Sequence, residues 1–99
     1  MAYDIDIERG VVEYIEAPGR LPRPAQALVF QAIRRDLGEF GDFYRGRSEC
    51  RLPTAPDCFW YDLLFDYLGA WHHLWFIVND RTAHYGVLRV EYVDSEAPR

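Results

Sequence analysis

From Phe59 to Val93 the chain alternates side chains with a period of two, interrupted at Gly69-Ala70 and again at Asn79-Asp80-Arg81. A period of two with turn residues at those spacings predicts three consecutive strands at about 59–68, 71–78 and 84–93, a three-strand meander. In the first strand Phe59, Tyr61, Leu63, Phe65 and Tyr67 share one face, and Trp60, Asp62, Leu64, Asp66 and Leu68 share the other. The first set is read as the core face. Leu74, Phe76 and Val78 join it from the second strand, leaving Trp71, His73, Trp75 and Ile77 on the open side. The third strand divides into Gly86, Leu88, Val90 and Tyr92 against Tyr85, Val87, Arg89, Glu91 and Val93.

The N-terminal third keeps two different periods. Tyr3, Ile5 and Ile7 alternate with Asp4, Asp6 and Glu8, which predicts a first strand with one buried face. Val11, Val12, Tyr14 and Ile15 then fall on one side of a short helix at about 9–17, which must stop before Pro18-Gly19. Pro24 suits the first turn of a second helix at about 24–38, where a missing N–H leaves nothing unpaired. Its inner face is Ala25, Leu28, Val29, Ala32, Ile33 and Leu37, and Gly38 and Gly41 are expected to end it. Phe65, Phe76 and Val90 are expected to meet Leu28 and Ile33 from the sheet. The tail Ser95–Arg99 is expected to fray.

Ninety-nine residues leave room for one domain, 1–99. The order β-α-α-β-β-β, with two helices on one face of an antiparallel sheet, places the chain in the α+β class. All 11 basic residues are Arg, against 16 acidic ones, so a net charge of −5 excludes a surface that binds nucleic acid as a whole. Any RNA contact must be local. No apolar run approaches the roughly 18 residues a membrane span needs, and the first residues carry no basic leader, so a soluble, cytoplasmic protein is expected with no membrane partner. Cys50 and Cys58 are too few for a disulfide framework and stand apart from any His, so a buried or paired thiol is expected rather than a nucleophile.

The chain resembles the RelE/ParE superfamily, the toxins of type II toxin–antitoxin modules, over about residues 2–93. The resemblance rests on the opening Met-Ala-Tyr and the strand through Ile7, and on the helices around Val11–Glu16 and Ala25–Leu37. It rests further on Pro56-Asp57-Cys58 with the aromatic that follows, on Leu74-Trp-Phe-Ile-Val-Asn-Asp80, and on Val87-Leu-Arg-Val-Glu-Tyr. It implies a toxin-like protein of the RelE-like mRNA endonuclease lineage, acting at the ribosome, or of the gyrase-poisoning ParE-like lineage. It also implies an antitoxin that holds the toxin inactive. Where the family commonly carries Lys on the sheet, this chain has Trp60 and Asp62, and His73 follows the hairpin where an Arg is usual. The expected catalytic face is therefore an altered one. Its candidate residues are His73, Arg51, Arg89 and Glu91, with His73 as the group that titrates near neutral pH.

Two readings stay open for each remaining cluster. His73 with Glu91 or Asp62, oriented by Arg89, could do acid–base work, or the same residues could be a solvated strand face. Arg45, Arg47 and Arg51, on one side of an extended segment, could bind phosphate, or could pair with the excess acids of the chain or of a partner. Trp60, Trp71 and Trp75 could be a surface for an antitoxin or a second copy, or could lie under residues 42–58 with Phe43 and Tyr44. The alternative to a toxin is thus a non-enzymatic protein-binding module acting through an aromatic sheet face. No metal or cofactor is expected, because the adjacent His72 and His73 point to opposite faces of a strand.

Overall fold

The computed structural model describes residues 2–97. Its elements run β1 (Asp4–Ile7), α1 (Arg9–Glu16), α2 (Arg23–Arg45), a short 3₁₀ turn (Ser48–Cys50), β2 (Arg51–Leu52), β3 (Ala55–Tyr67), β4 (Ala70–Asn79), a second 3₁₀ turn (Ala83–Tyr85) and β5 (Val87–Asp94). The fold is α+β, with both helices preceding strands β2–β5. Pro98 and Arg99, the end of the tail expected to fray, lie outside the described residues.

The sheet has five strands in the order β1-β5-β4-β3-β2. It is mixed, not antiparallel throughout, because β1 lies parallel to β5 with Asp4 beside Val87 and Ile7 beside Val90. The chain between them, two helices and strands β2–β4, leaves ample length for that sense. β3 and β4 form the long hairpin, in register from Cys58–Asn79 to Tyr67–Ala70.

The core face is the expected one in β3 and β4: Phe59, Tyr61, Leu74, Phe76 and Val78 are buried, and Leu63, Phe65 and Tyr67 are partly buried against them. In β5 the alternation breaks. Val78 pairs with Val90 and Ile77 with Tyr92, so Glu91 is an extra residue on β5, a bulge. Beyond it every side chain changes face. Val93 enters the core and Tyr92, expected beside Val90, turns to the open face.

Helix α1 buries Val11 and Ile15, and Ala25, Val29, Ile33 and Leu37 form the buried row of α2 at a spacing of four. Leu28 falls off that row and is 47% exposed, outside the core that holds Ile33, Phe76 and Val90 and against which Phe65 packs. The helix also runs past Gly38 and Gly41 to Arg45, bending at Phe40. These glycines serve close approach: a Cβ on Gly41 would come within 2.8 Å of Tyr3 Cδ2 and 2.9 Å of Leu88 Cδ1. The Tyr3 N–H donates to the Gly38 carbonyl at 2.9 Å, which fixes α2 to the start of β1.

Two polar ties join helix and sheet. The Tyr61 hydroxyl donates to Asp36 Oδ2 at 2.6 Å, and burial, aided by that bond, pushes the phenol well above its ordinary range. Asp80, at the end of the β3–β4 pair, accepts from Arg45 Nε at 3.0 Å and from Arg51 Nη2 at 2.7 Å. Burial works to raise the Asp80 carboxyl, yet the hydrogen bonds from Arg51 and Arg45 hold it below the usual carboxylate range. A folded-state pKa below the unfolded one adds stability that is complete above about pH 5 and fades as pH falls through the folded value. Asp80→Asn should cost about 2 kcal/mol at pH 7, because it removes the carboxylate paired with Arg51 and one of the two that hold Arg45. Its stability should also fall less steeply than the native chain's between about pH 5 and pH 2 in urea titrations.

Candidate functional site

The face of the sheet away from the helices carries Cys58, Trp60, Asp62, Leu64 and Asp66 from β3, and Trp71, His73, Trp75 and Ile77 from β4. Arg89, Tyr92 and Asp94 come from β5, and Asp4 and Asp6 from β1. Covering it is not the work of residues 42–58. Phe43 stacks edge-on against Tyr44, and Tyr44 edge-on against Tyr61, which places both rings on the helix side. From that segment Leu52, Thr54, Ala55 and Cys58 come round to Trp60.

The four candidate catalytic residues are not brought together. His73 lies near the tip of the β3–β4 hairpin, opposite Leu64. Its Nε2 is 3.0 Å from Asp62 Oδ2, and its ring stacks on Trp75 with centroids 4.5 Å apart. Arg89 pairs with Asn79, six residues farther along β4, so it is about 20 Å away at the rise of a strand. It is engaged there by Glu8 at 2.6 Å and Asp6 at 3.9 Å. Glu91 sits at the bulge opposite Val78, about 16 Å from His73 by the same rise. Arg51 pairs with Phe59 and lies over its ring on the helix side of the sheet, bound to Asp80. Of the partners expected for His73, the structure supplies Asp62 alone.

Nor do the three arginines share one extended segment. Arg45 closes the last turn of α2, where it reaches Asp80, Asp42 and the Tyr3 hydroxyl, and Tyr3 in turn donates to Asp42. Arg47 lies between helices with Glu49 at 3.0 Å, and Arg51 begins β2. Each is in an ion pair with a carboxylate of its own chain, which is the second of the two sequence readings.

The tryptophans share the open face at three separate places. Trp60 is half-buried beside Ile77, Trp75 lies against His73, and Trp71 is 68% exposed at the hairpin tip. Around Trp60 the face hollows into a cleft of about 610 Å³, bounded by Ile77, Tyr92 and Leu52 with Cys58 in its floor and Glu91, Asp94 and Glu96 at its edge. Sequence periodicity misses Tyr92 and Asp94 as members of this site because a regular β5 puts Tyr92 in the core. Only the bulge turns it out. Among the described residues, Glu91, Asp94 and Glu96 form no ion pair, and no group of three His, Cys, Asp or Glu side chains could hold a metal.

No family model, curated protein or solved structure matches the chain. The Cys58 thiol reports directly on the cleft: burial pushes it up, and the neighbouring Glu91 and Asp57 charges push it further. Because the thiolate is the reactive form, alkylation of Cys58 at pH 8 should be slow. Glu91→Gln should speed it by about twofold to fivefold by removing one negative neighbour. Mass-resolved iodoacetamide kinetics checks this, and an unchanged rate would place Glu91 away from the thiol.

Proposed function

We propose that this chain is a protein-binding domain whose open sheet face takes a basic segment of another protein. The cleft around Trp60 carries this reading: Trp60 and Tyr92 line it together with Glu91, Asp94 and Glu96, which have no ion pair among the described residues. A guanidinium or ammonium group gains both from a ring face and from a carboxylate at such a place. Arg89 does not compete for the position, being held by Glu8 and Asp6. The same carboxylates disfavour a phosphate backbone, whose affinity comes from neutralising phosphates.

A second reading, that of a toxin-like component of a type II toxin–antitoxin module with the RelE/ParE-like element order, is favoured by the His73–Asp62 contact at 3.0 Å. In a RelE-like cytoplasmic endoribonuclease that pair would act on mRNA at the ribosome, and the partner on the open face would be an antitoxin. The readings separate by experiment. Under the second, induced expression arrests growth and His73→Ala abolishes the arrest. Under the first, His73→Ala leaves binding intact.

Titration of an arginine-rich decapeptide at about 50 mM salt, followed by tryptophan fluorescence, should saturate in the micromolar range. The double substitution Glu91→Gln, Asp94→Asn should weaken it about tenfold. An RNA oligomer that binds more tightly than the peptide would overturn the binding-domain reading.

A further inference from the structure

We infer that a second copy of this chain pairs with it through the free edge of β4, joining two five-stranded sheets into one. β5 ends at Asp94 opposite Trp75, so among the described residues Ala70–Leu74 of β4 have a strand neighbour on the β3 side only. The two-residue turn Leu68-Gly69 makes Tyr67 and Ala70 a hydrogen-bonded pair, and by alternation Trp71 and His73 direct their N–H and C=O groups outward. Beside that edge lies a hollow of about 300 Å³ between Tyr14, Leu21, Trp71, His73 and Ser95. It is the place the next strand of the sheet would occupy.

The tip of the hairpin carries an independent sign of contact. Leu68 has a φ of 51° and is 90% exposed. That left-handed position is ordinarily filled by Asn or Gly, and a leucine there is costly for the backbone and unhelpful to the core. Leu64 at 57% and Trp71 at 68% exposure extend the same apolar patch along the open face. Unpaired strand edges flanked by apolar side chains are templates for another strand.

Charge and symmetry select a second copy as the occupant. In a chain of net charge −5, the run Ala70-Trp71-His72-His73-Leu74 carries no carboxylate, so the paired strands themselves bring no like charges together. Antiparallel pairing about a two-fold axis at His72 sets Trp71 opposite His73 of the second copy, satisfying all the outward backbone groups of both residues. Across the joined sheet each row then reads Leu64, His73, Trp71, Asp66, with no like charges facing. Leu68 and Trp71 of two copies, with the paired backbone, cover less than about 1,000 Å², below the usual size of a specific interface, so the dimer is expected to dissociate in the micromolar range. This pairing stands on the β4 edge and does not depend on the cleft around Trp60.

Sedimentation velocity of the full chain from about 5 to about 500 µM should show monomer passing to dimer. Over the same range the Trp71 and His73 amides should become protected from exchange. Leu68→Asn should raise Tm, since asparagine suits the turn, while weakening the dimer about tenfold or more. Trp71→Lys, at an exposed position, should keep the fold and sediment as a monomer throughout. A native chain that stays monomeric at the highest concentration would overturn the inference. So would a dimer whose Trp71 and His73 amides exchange as fast as in the monomer, or one that neither variant weakens.

Discussion

Two helices can cover one face of a five-stranded sheet, and the disposition of every other side chain in this protein follows from that one-sidedness. On the covered side α2 approaches close enough that Gly41 admits no Cβ against Tyr3 and Leu88. Tyr61 reaches Asp36 across the same interface, and Arg45 and Arg51 close its end on Asp80. These ties hold Arg45 and Arg51, and Glu49 holds Arg47. Among the described residues, the uncovered side is left with aromatic rings, carboxylates and one engaged arginine, Arg89. On the reading proposed above it would take a cation, because rings and acids together attract positive charge and repel phosphate.

The bulge at Glu91 gives this face its shape. An extra residue in β5 sends Val93 into the core and brings Tyr92 out beside Ile77, opening a cleft where a flat strand surface would otherwise stand. Bulges re-aim side chains without changing the strand's place in the sheet, and here the re-aimed residues are an aromatic ring and the carboxylates on either side of it. The His73–Asp62 contact lies elsewhere, stacked on Trp75 toward the hairpin tip.

Much of this was legible before any coordinates. The alternation of β3 and β4 identified their buried faces, and the row Val29, Ile33, Leu37 identified the inner side of α2, because both depend on a simple period. The failures have local causes. Gly38 and Gly41 read as a helix end since glycine is the usual residue there, whereas their role is close packing of a helix that continues. Parallel pairing of β1 with β5 is a long-range choice that leaves no mark on β1 itself. One inserted residue defeats a period-two argument, so Tyr92 was assigned to the wrong face. The candidate catalytic residues stand apart for a related reason: face and strand can be read from alternation, but position along the strand relative to its neighbours cannot. His73 and Arg89 share a face and stand at opposite ends of it.

The three indole N–H groups give the most direct test, since Trp60, Trp75 and Trp71 mark the cleft, the middle of the face and the hairpin tip. A ¹⁵N correlation spectrum resolves each of them during addition of an arginine-rich peptide and, separately, of an RNA oligomer. An acidic aromatic face built to take a basic segment predicts that the peptide moves the Trp60 resonance most, with Trp71 unmoved, and that RNA moves none. RNA shifting the Trp60 and Trp75 resonances while the peptide leaves them in place would contradict it.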